Sequence, residues 1–170
     1  QGHQGGIHCL LVDEVNDHLF SSGADGVIIR WNLTLATQIK KFIGHEQGVR
    51  SIEKIDPDIL ASTGEKDRII KFWDISSGEC FENVEWAHEL FINAILYSEK
   101  LQVLLTASND YTIKVWDVFI HKVTHAKKQV HCSSRFQLEN PFSRMCLSLA
   151  FVDGDTDGEK VLVGDYNGNA

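Results

Sequence analysis

Short runs in which apolar and polar residues alternate recur along the chain, separated by Gly, Asp, Asn and Ser. Alternation with period two over so few residues predicts half-buried β-strands. The first set is 7–12, 18–22, 27–32 and 37–42. The second is 49–55, 59–63, 68–75 and 80–84, and the third is 91–97, 102–107, 112–118 and 122–127. A further strand is expected at 146–152. Turn pairs such as Asp25-Gly26 and Ser77-Gly78 join neighbouring runs as antiparallel hairpins. The two prolines, Pro57 and Pro141, fall in expected loops, and no helical period of useful length competes. The chain is predicted to be all-β, in groups of four strands.

A longer period lies over this pattern. Gly2-His3 returns as Gly44-His45 and Ala87-His88, and Trp31-Asn32 returns as Trp73-Asp74 and Trp116-Asp117. Successive tryptophans stand 42 and 43 residues apart, as do successive histidines. An aspartate precedes each tryptophan by 6 residues (Asp25, Asp67, Asp110) and follows each histidine by 22. A hydroxyl precedes each tryptophan by 10: Ser21, Thr63, Thr106. Polar groups that repeat in one register inside strands must find partners when buried, which suggests one hydrogen-bonded set per unit.

These residues and spacings resemble the WD-repeat (β-transducin-like) family, whose unit is a four-stranded propeller blade. The resemblance covers residues 2 to about 130 well. It implies a β-propeller with about four blades visible, part of a seven- or eight-bladed ring. It also implies chains running from tryptophan through hydroxyl and histidine to aspartate. Carried over, these are Trp31–Ser21–His3–Asp25, Trp73–Thr63–His45–Asp67 and Trp116–Thr106–His88–Asp110. The expected units are 2–43, 44–86 and 87–130, followed by an irregular fourth at 131–170.

The fourth unit departs from the others. His131 falls 43 residues after His88, but the next turn position, Asn167, lies 36 residues on instead of 22. A loop insertion near 132–145 is therefore expected. Val163 stands where the hydroxyl should be, so the polar chain cannot form there in the usual way. The chain stops at Ala170, three residues before a fourth tryptophan is due. The expectation is a partial propeller, its ring completed by further blades or by a second chain.

Composition narrows the partners. A net charge of −8 disfavours direct nucleic-acid binding through the phosphate backbone. No apolar run is long enough to span a bilayer, so no membrane contact is expected. Four cysteines without a CxxC pair fit a reducing, intracellular setting, cytoplasmic or nuclear.

Candidate chemistry has plainer explanations. Hydroxyl, histidine and aspartate together suggest a hydrolase triad. A triad occurs once and exposes its nucleophile, whereas this set occurs three times with the hydroxyl inside a strand, so no catalytic residue is assigned. Asp153-Gly154-Asp155-Thr156-Asp157-Gly158 opens like a calcium loop, but Gly164 stands where the bidentate carboxylate is required. A solvated acidic hairpin is the better reading. His121 and His125 lie four residues apart, which on a strand is about 13 Å, too far to share one zinc. Adjacent pairs such as His8-Cys9 and His131-Cys132 have no further ligands in sequence. Neither metal nor cofactor is expected.

What the resemblance does imply is binding. Partners of such propellers often touch the start of each unit's first strand and the residue before the turn aspartate. Here those positions hold Gly6 and His8, Gly48 and Arg50, Phe91 and Asn93, then Ala24, Lys66 and Asn109. Arg50, Lys66, Phe91, Asn93 and Asn109 have the most useful chemistry, with Arg and aromatics typical anchors. Cullin-ligase substrate receptors often carry an arginine two residues after the Trp-Asp pair. Thr34, Ser76 and Phe119 stand there instead, which argues against that role. The expected function is a non-enzymatic scaffold for protein or peptide partners in an intracellular complex. The alternative is a docking domain of a larger enzyme.

Overall fold

The computed structural model describes residues 2–124, 127–140, 145–152 and 160–168. Its strands form antiparallel sheets, each built from consecutive hairpins. The first sheet holds β1 (Ile7–Asp13), β2 (His18–Gly23), β3 (Val27–Asn32) and β4 (Thr37–Ile43). The second holds β5 (Val49–Asp56), β6 (Ile59–Gly64), β7 (Ile70–Asp74) and β8 (Cys80–Val84). The third holds β9 (Ile92–Ser98), β10 (Val103–Ser108), β11 (Thr112–Thr124) and β12 (Lys127–Glu139). β13 (Cys146–Val152) and β14 (Lys160–Asp165) pair as a fourth, two-stranded sheet. One turn of 3-10 helix, Glu14–Asn16, joins β1 to β2.

The core lies between sheets, because each strand's alternation gives both faces apolar residues to bury. Phe20, Phe42, Ile52 and Trp73 pack between the first and second sheets. Ile55, Phe72, Ile95, Leu104 and Trp116 pack between the second and third. Smaller clusters around Val115 and Cys146 join the third sheet to β13 and β14. The leading strands β1, β5, β9 and β13 lie side by side, so the sheets are stacked in order like blades.

The third sheet differs from the sequence expectation. β11 continues past Val118 to Thr124, and β12 occupies residues expected to form a loop. The two strands pair from Thr112↔Glu139 to Thr124↔Lys127, making a long hairpin. Val118 and Val130 are buried on one face of that ribbon, which holds it against the second sheet. His131 lies opposite Phe119 within the third sheet, so its spacing from His88 does not mark a fourth unit. The extra length sits in this hairpin, and the expected boundary at 130/131 falls inside β12.

Candidate functional site

Each complete sheet contains one buried polar chain. In the first, the Trp31 indole N–H donates to Ser21 Oγ at 2.8 Å, and Ser21 lies 2.8 Å from His3 Nε2. His3 Nδ1 is 2.9 Å from Asp25 Oδ1. In the third, Trp116 donates to Thr106 Oγ1 at 2.9 Å, Thr106 meets His88 Nε2 at 2.7 Å, and His88 Nδ1 meets Asp110 at 2.9 Å. The second sheet uses a different hydroxyl. Trp73 donates to Ser62 Oγ at 2.8 Å and His45 Nε2 lies 2.7 Å from it, with His45 Nδ1 2.6 Å from Asp67. Thr63 instead faces the Ser51 carbonyl at 3.5 Å.

The shift from Thr63 to Ser62 has a local cause. Ser21 and Thr106 precede their aspartates by four residues, whereas Ser62 precedes Asp67 by five. The turn from β6 to β7 therefore holds one extra residue. Counting back from the tryptophan lands on Thr63, while the strand register places Leu60 opposite Trp73 and Ser62 in the role of Ser21.

Proton order follows from the geometry. Each aspartate also accepts a backbone N–H two residues on, at Val27, Ile69 and Thr112. Burial opposes ionisation of Asp25, Asp67 and Asp110, but the hydrogen bonds they accept outweigh it and hold all three below the usual carboxylate range. An ionised aspartate requires a proton on Nδ1 of its histidine, and the tautomer with that single ring proton completes the chain. Nε2 then accepts the hydroxyl proton, and the hydroxyl oxygen accepts the indole N–H. Ser21, Ser62 and Thr106 are buried and engaged on both sides, so none is presented to a substrate. This arrangement binds strands together.

A second repeated geometry brings the binding candidates together. Ala24 N–H donates to Gly6 O at 2.8 Å, Glu65 to Gly48 O at 2.6 Å, Asn109 to Phe91 O at 3.0 Å and Tyr166 to Met145 O at 3.2 Å. In every sheet the strand-two-to-three turn is thus tied to the entry of the first strand. Here Glu65, not Lys66, matches Ala24 and Asn109; Lys66 is exposed in the longer turn. Counting back from the aspartate missed Glu65 for the same reason that it picked Thr63.

The second residue of each leading strand is bulged. The register skips His8, Arg50, Asn93 and Leu147 in turn. A β-bulge leaves its residue out of the ladder and re-aims its side chain. His8 Nδ1 meets Val49 O of the next sheet at 3.2 Å, and Asn93 donates to Cys146 O of the next sheet at 2.9 Å and to Asn109 Oδ1 at 2.6 Å. Arg50 occupies the same bulge, half-buried, without a hydrogen bond or ion pair among the described residues. Phe91 is 37% exposed.

Trp86 stands outside the tryptophan period. Trp86 is 70% exposed, and the Arg68 guanidinium covers one ring face at 4.2 Å. That departure from the spacing was the sequence signal for it.

The four-strand sheets, the polar chains and the repeated bulge describe one unit used three times and begun a fourth. A repeat profile described as "WD domain, G-beta repeat" matches residues 1–32, 36–74 and 80–117. The chain belongs to the WD-repeat family. Among its WD-repeat relatives, COMPASS component SWD3 of Saccharomyces cerevisiae is 26% identical, over 68% of this chain and 39% of that protein. Mitochondrial division protein 1 of Saccharomyces cerevisiae is 24% identical, over 75% of this chain and 23% of that protein. Myosin heavy chain kinase C of Dictyostelium discoideum is 29% identical, over 65% of this chain and 14% of that protein. The chain thus spans well under half the length of these relatives.

The fourth blade begins as a WD blade does. Tyr166 and Gly168 repeat the turn bonds of Ala24 and Gly26, which places Asn167 at the aspartate position and Val163 at the hydroxyl position. The position matching His3, four residues before Cys146, is Phe142, outside the described residues. The Asp153–Gly158 segment and His125 also lie outside them. Among the described residues no helix is long and apolar enough to cross a membrane.

Proposed function

We propose that this WD-repeat segment is a protein-interaction scaffold, taking a protein or peptide on the face formed by strand-a entries and b–c turns. The observation that carries this reading is Arg50. The equivalent side chains His8 and Asn93 are bonded to the next blade, whereas the Arg50 guanidinium, at the same bulge, has no hydrogen-bond partner among the described residues. Arginine presented on a rigid sheet loses little freedom on binding and pairs well with carboxylate or carbonyl groups. Lys66, Phe91 and Asn109 lie on the same turns and strand entries, and Trp86 with Arg68 adds an aromatic surface. Asn93 serves mainly to tie blades, since its amide nitrogen already donates twice.

Relatives whose names place them in a complex or in organelle division support a scaffold role. The setting proposed is an intracellular assembly, cytoplasmic or nuclear, with the ring completed by further blades or by another chain. One relative named as a kinase favours a second reading, in which these blades dock a separate catalytic domain.

The test is an affinity capture with the full chain, comparing wild type with Arg50→Glu/Lys66→Glu. Loss of the specific partners with an unchanged melting temperature is expected. Retention of the same partners by the double variant would sink the proposal.

A further inference from the structure

The hairpin of the third blade overshoots the strand beside it. β10 pairs with β11 only as far as Val103↔Asp117, and the last bond on that side runs from Val118 N–H to Gln102 O at 3.2 Å. β11 continues to Thr124, and among the described residues this extension pairs only with β12. Successive residues of an antiparallel strand direct their backbone groups to opposite sides. Because Val118 faces the β10 side, Ile120 and Lys122 direct their N–H and C=O groups to the same edge, where no described strand pairs with them.

A groove of about 820 Å³ runs beside this edge, between the a–b turns of the second and third blades. Ile55, Tyr97 and Val118 are among its apolar lining. Lys122 bridges its mouth, 2.7 Å from Asp56 and 3.5 Å from Asp58. Lys54 is held by Asp13 of the first blade at 2.6 Å. Asp56 and Asp58 thus share the Lys122 ammonium, and Glu99 brings a further carboxylate to the groove lining. The field is negative: after burial, the charges of Glu99 and Asp56 also push the Tyr97 phenol up.

An open strand edge supplies a row of main-chain donors and acceptors, an adjacent groove supplies side-chain pockets, and the acidic rim selects charge. We propose that this groove receives an extended peptide of a partner protein as an added strand on the Val118–Lys122 edge, its Lys or Arg side chains alternating with apolar ones. The side chains turned toward the second blade enter the groove, where Lys or Arg stems run along Ile55 and Tyr97 and their charged ends reach Asp56 and Glu99, and the apolar ones lie on the opposite face of the added strand. This is strand addition, in which main-chain bonds give affinity and alternate side chains give selection. It lies on the end of the blades opposite Arg50, so both surfaces can be occupied at once.

The probe is a fluorescein-labelled eight-residue peptide of alternating Val and Lys, titrated against the full chain by anisotropy. Two further versions carry N-methyl groups on all valines or on all lysines, and a fourth replaces Lys by Glu. One methylated version, the one whose blocked amides face β11, should bind at least tenfold more weakly, while the other keeps most of its affinity. The Glu peptide should fail to bind, and Glu99→Lys should weaken the parent peptide about fivefold or more. Amide exchange at Ile120 and Lys122 should slow on binding. Equal affinity for both methylated peptides and the parent, or binding without protection at Ile120 and Lys122, would overturn the proposal. Self-association through this edge with no peptide binding would also overturn it.

Discussion

The Ser62 hydroxyl accepts the Trp73 indole N–H at 2.8 Å, and the adjacent Thr63 takes no part in that chain. Removing the Ser62 hydroxyl strands the indole and His45 Nε2 together in a buried site. Ser62→Ala should therefore cost about 1–3 kcal/mol. Thr63→Val keeps the volume and removes only a 3.5 Å contact, so it should cost well under about 1 kcal/mol. Urea unfolding of the two variants decides this, and equal losses would mean that both hydroxyls share the role.

The repeat itself was legible because the WD spacing is carried by large or charged residues that cannot be buried at random. Trp31, Trp73 and Trp116, with their aspartates, marked the blades. Register within a turn was not legible, since one added residue near Gly64 moves no hydrophobic position. It therefore displaced both the hydroxyl assignment and the choice of Lys66 over Glu65. The long β11–β12 hairpin was hidden for a related reason. His131 lay at the expected spacing by coincidence, and Val130 and Cys132 suit an extended ribbon as well as a new blade. The bulges at His8, Arg50 and Asn93 have no composition signature at all, because a bulge is a mismatch between two strands. Family resemblance pointed to those positions without giving their geometry.

Acid should weaken the blades through their aspartates. Asp110 accepts from His88, Thr112 and the Glu89 backbone, and its folded-state acidity is greater than that of a free carboxylate. A depressed folded pKa contributes stability that is present above the unfolded value of about 4 and is lost as pH falls below it. Asp110→Ala should cost about 1–3 kcal/mol at neutral pH. That gap should narrow steadily below about pH 4. Chemical unfolding at pH 7, 5 and 3 would show it; a constant gap would contradict the assignment.

Lys54 and Asp13 tie the first blade to the second. Asp13 is nearly buried and also accepts from Asn16, which together with Lys54 keeps it ionised despite desolvation. Lys54→Met leaves that carboxylate without its cation and should cost about 1–3 kcal/mol. Adding Asp13→Asn should restore part of the loss, because the stranded charge disappears. A double variant as unstable as the sum of the two singles would show that the residues do not act as a pair.

Glu53 should make the junction of the second and third blades sensitive to alkali. Burial pushes its carboxyl up to about 7, partly offset by the Tyr97 backbone N–H. A raised folded pKa contributes stability that is complete below the unfolded value, near 4.3 for glutamate, and fades as pH rises through about 7. Glu53→Gln stays neutral at every pH, so it should match the wild type near pH 4 and exceed it at pH 8. Allowing for partial exposure, the gain at pH 8 should be about 1–3 kcal/mol. Thermal melts across that range provide the measurement. A gain that is the same at pH 4 and pH 8 would place the effect in packing rather than in the proton.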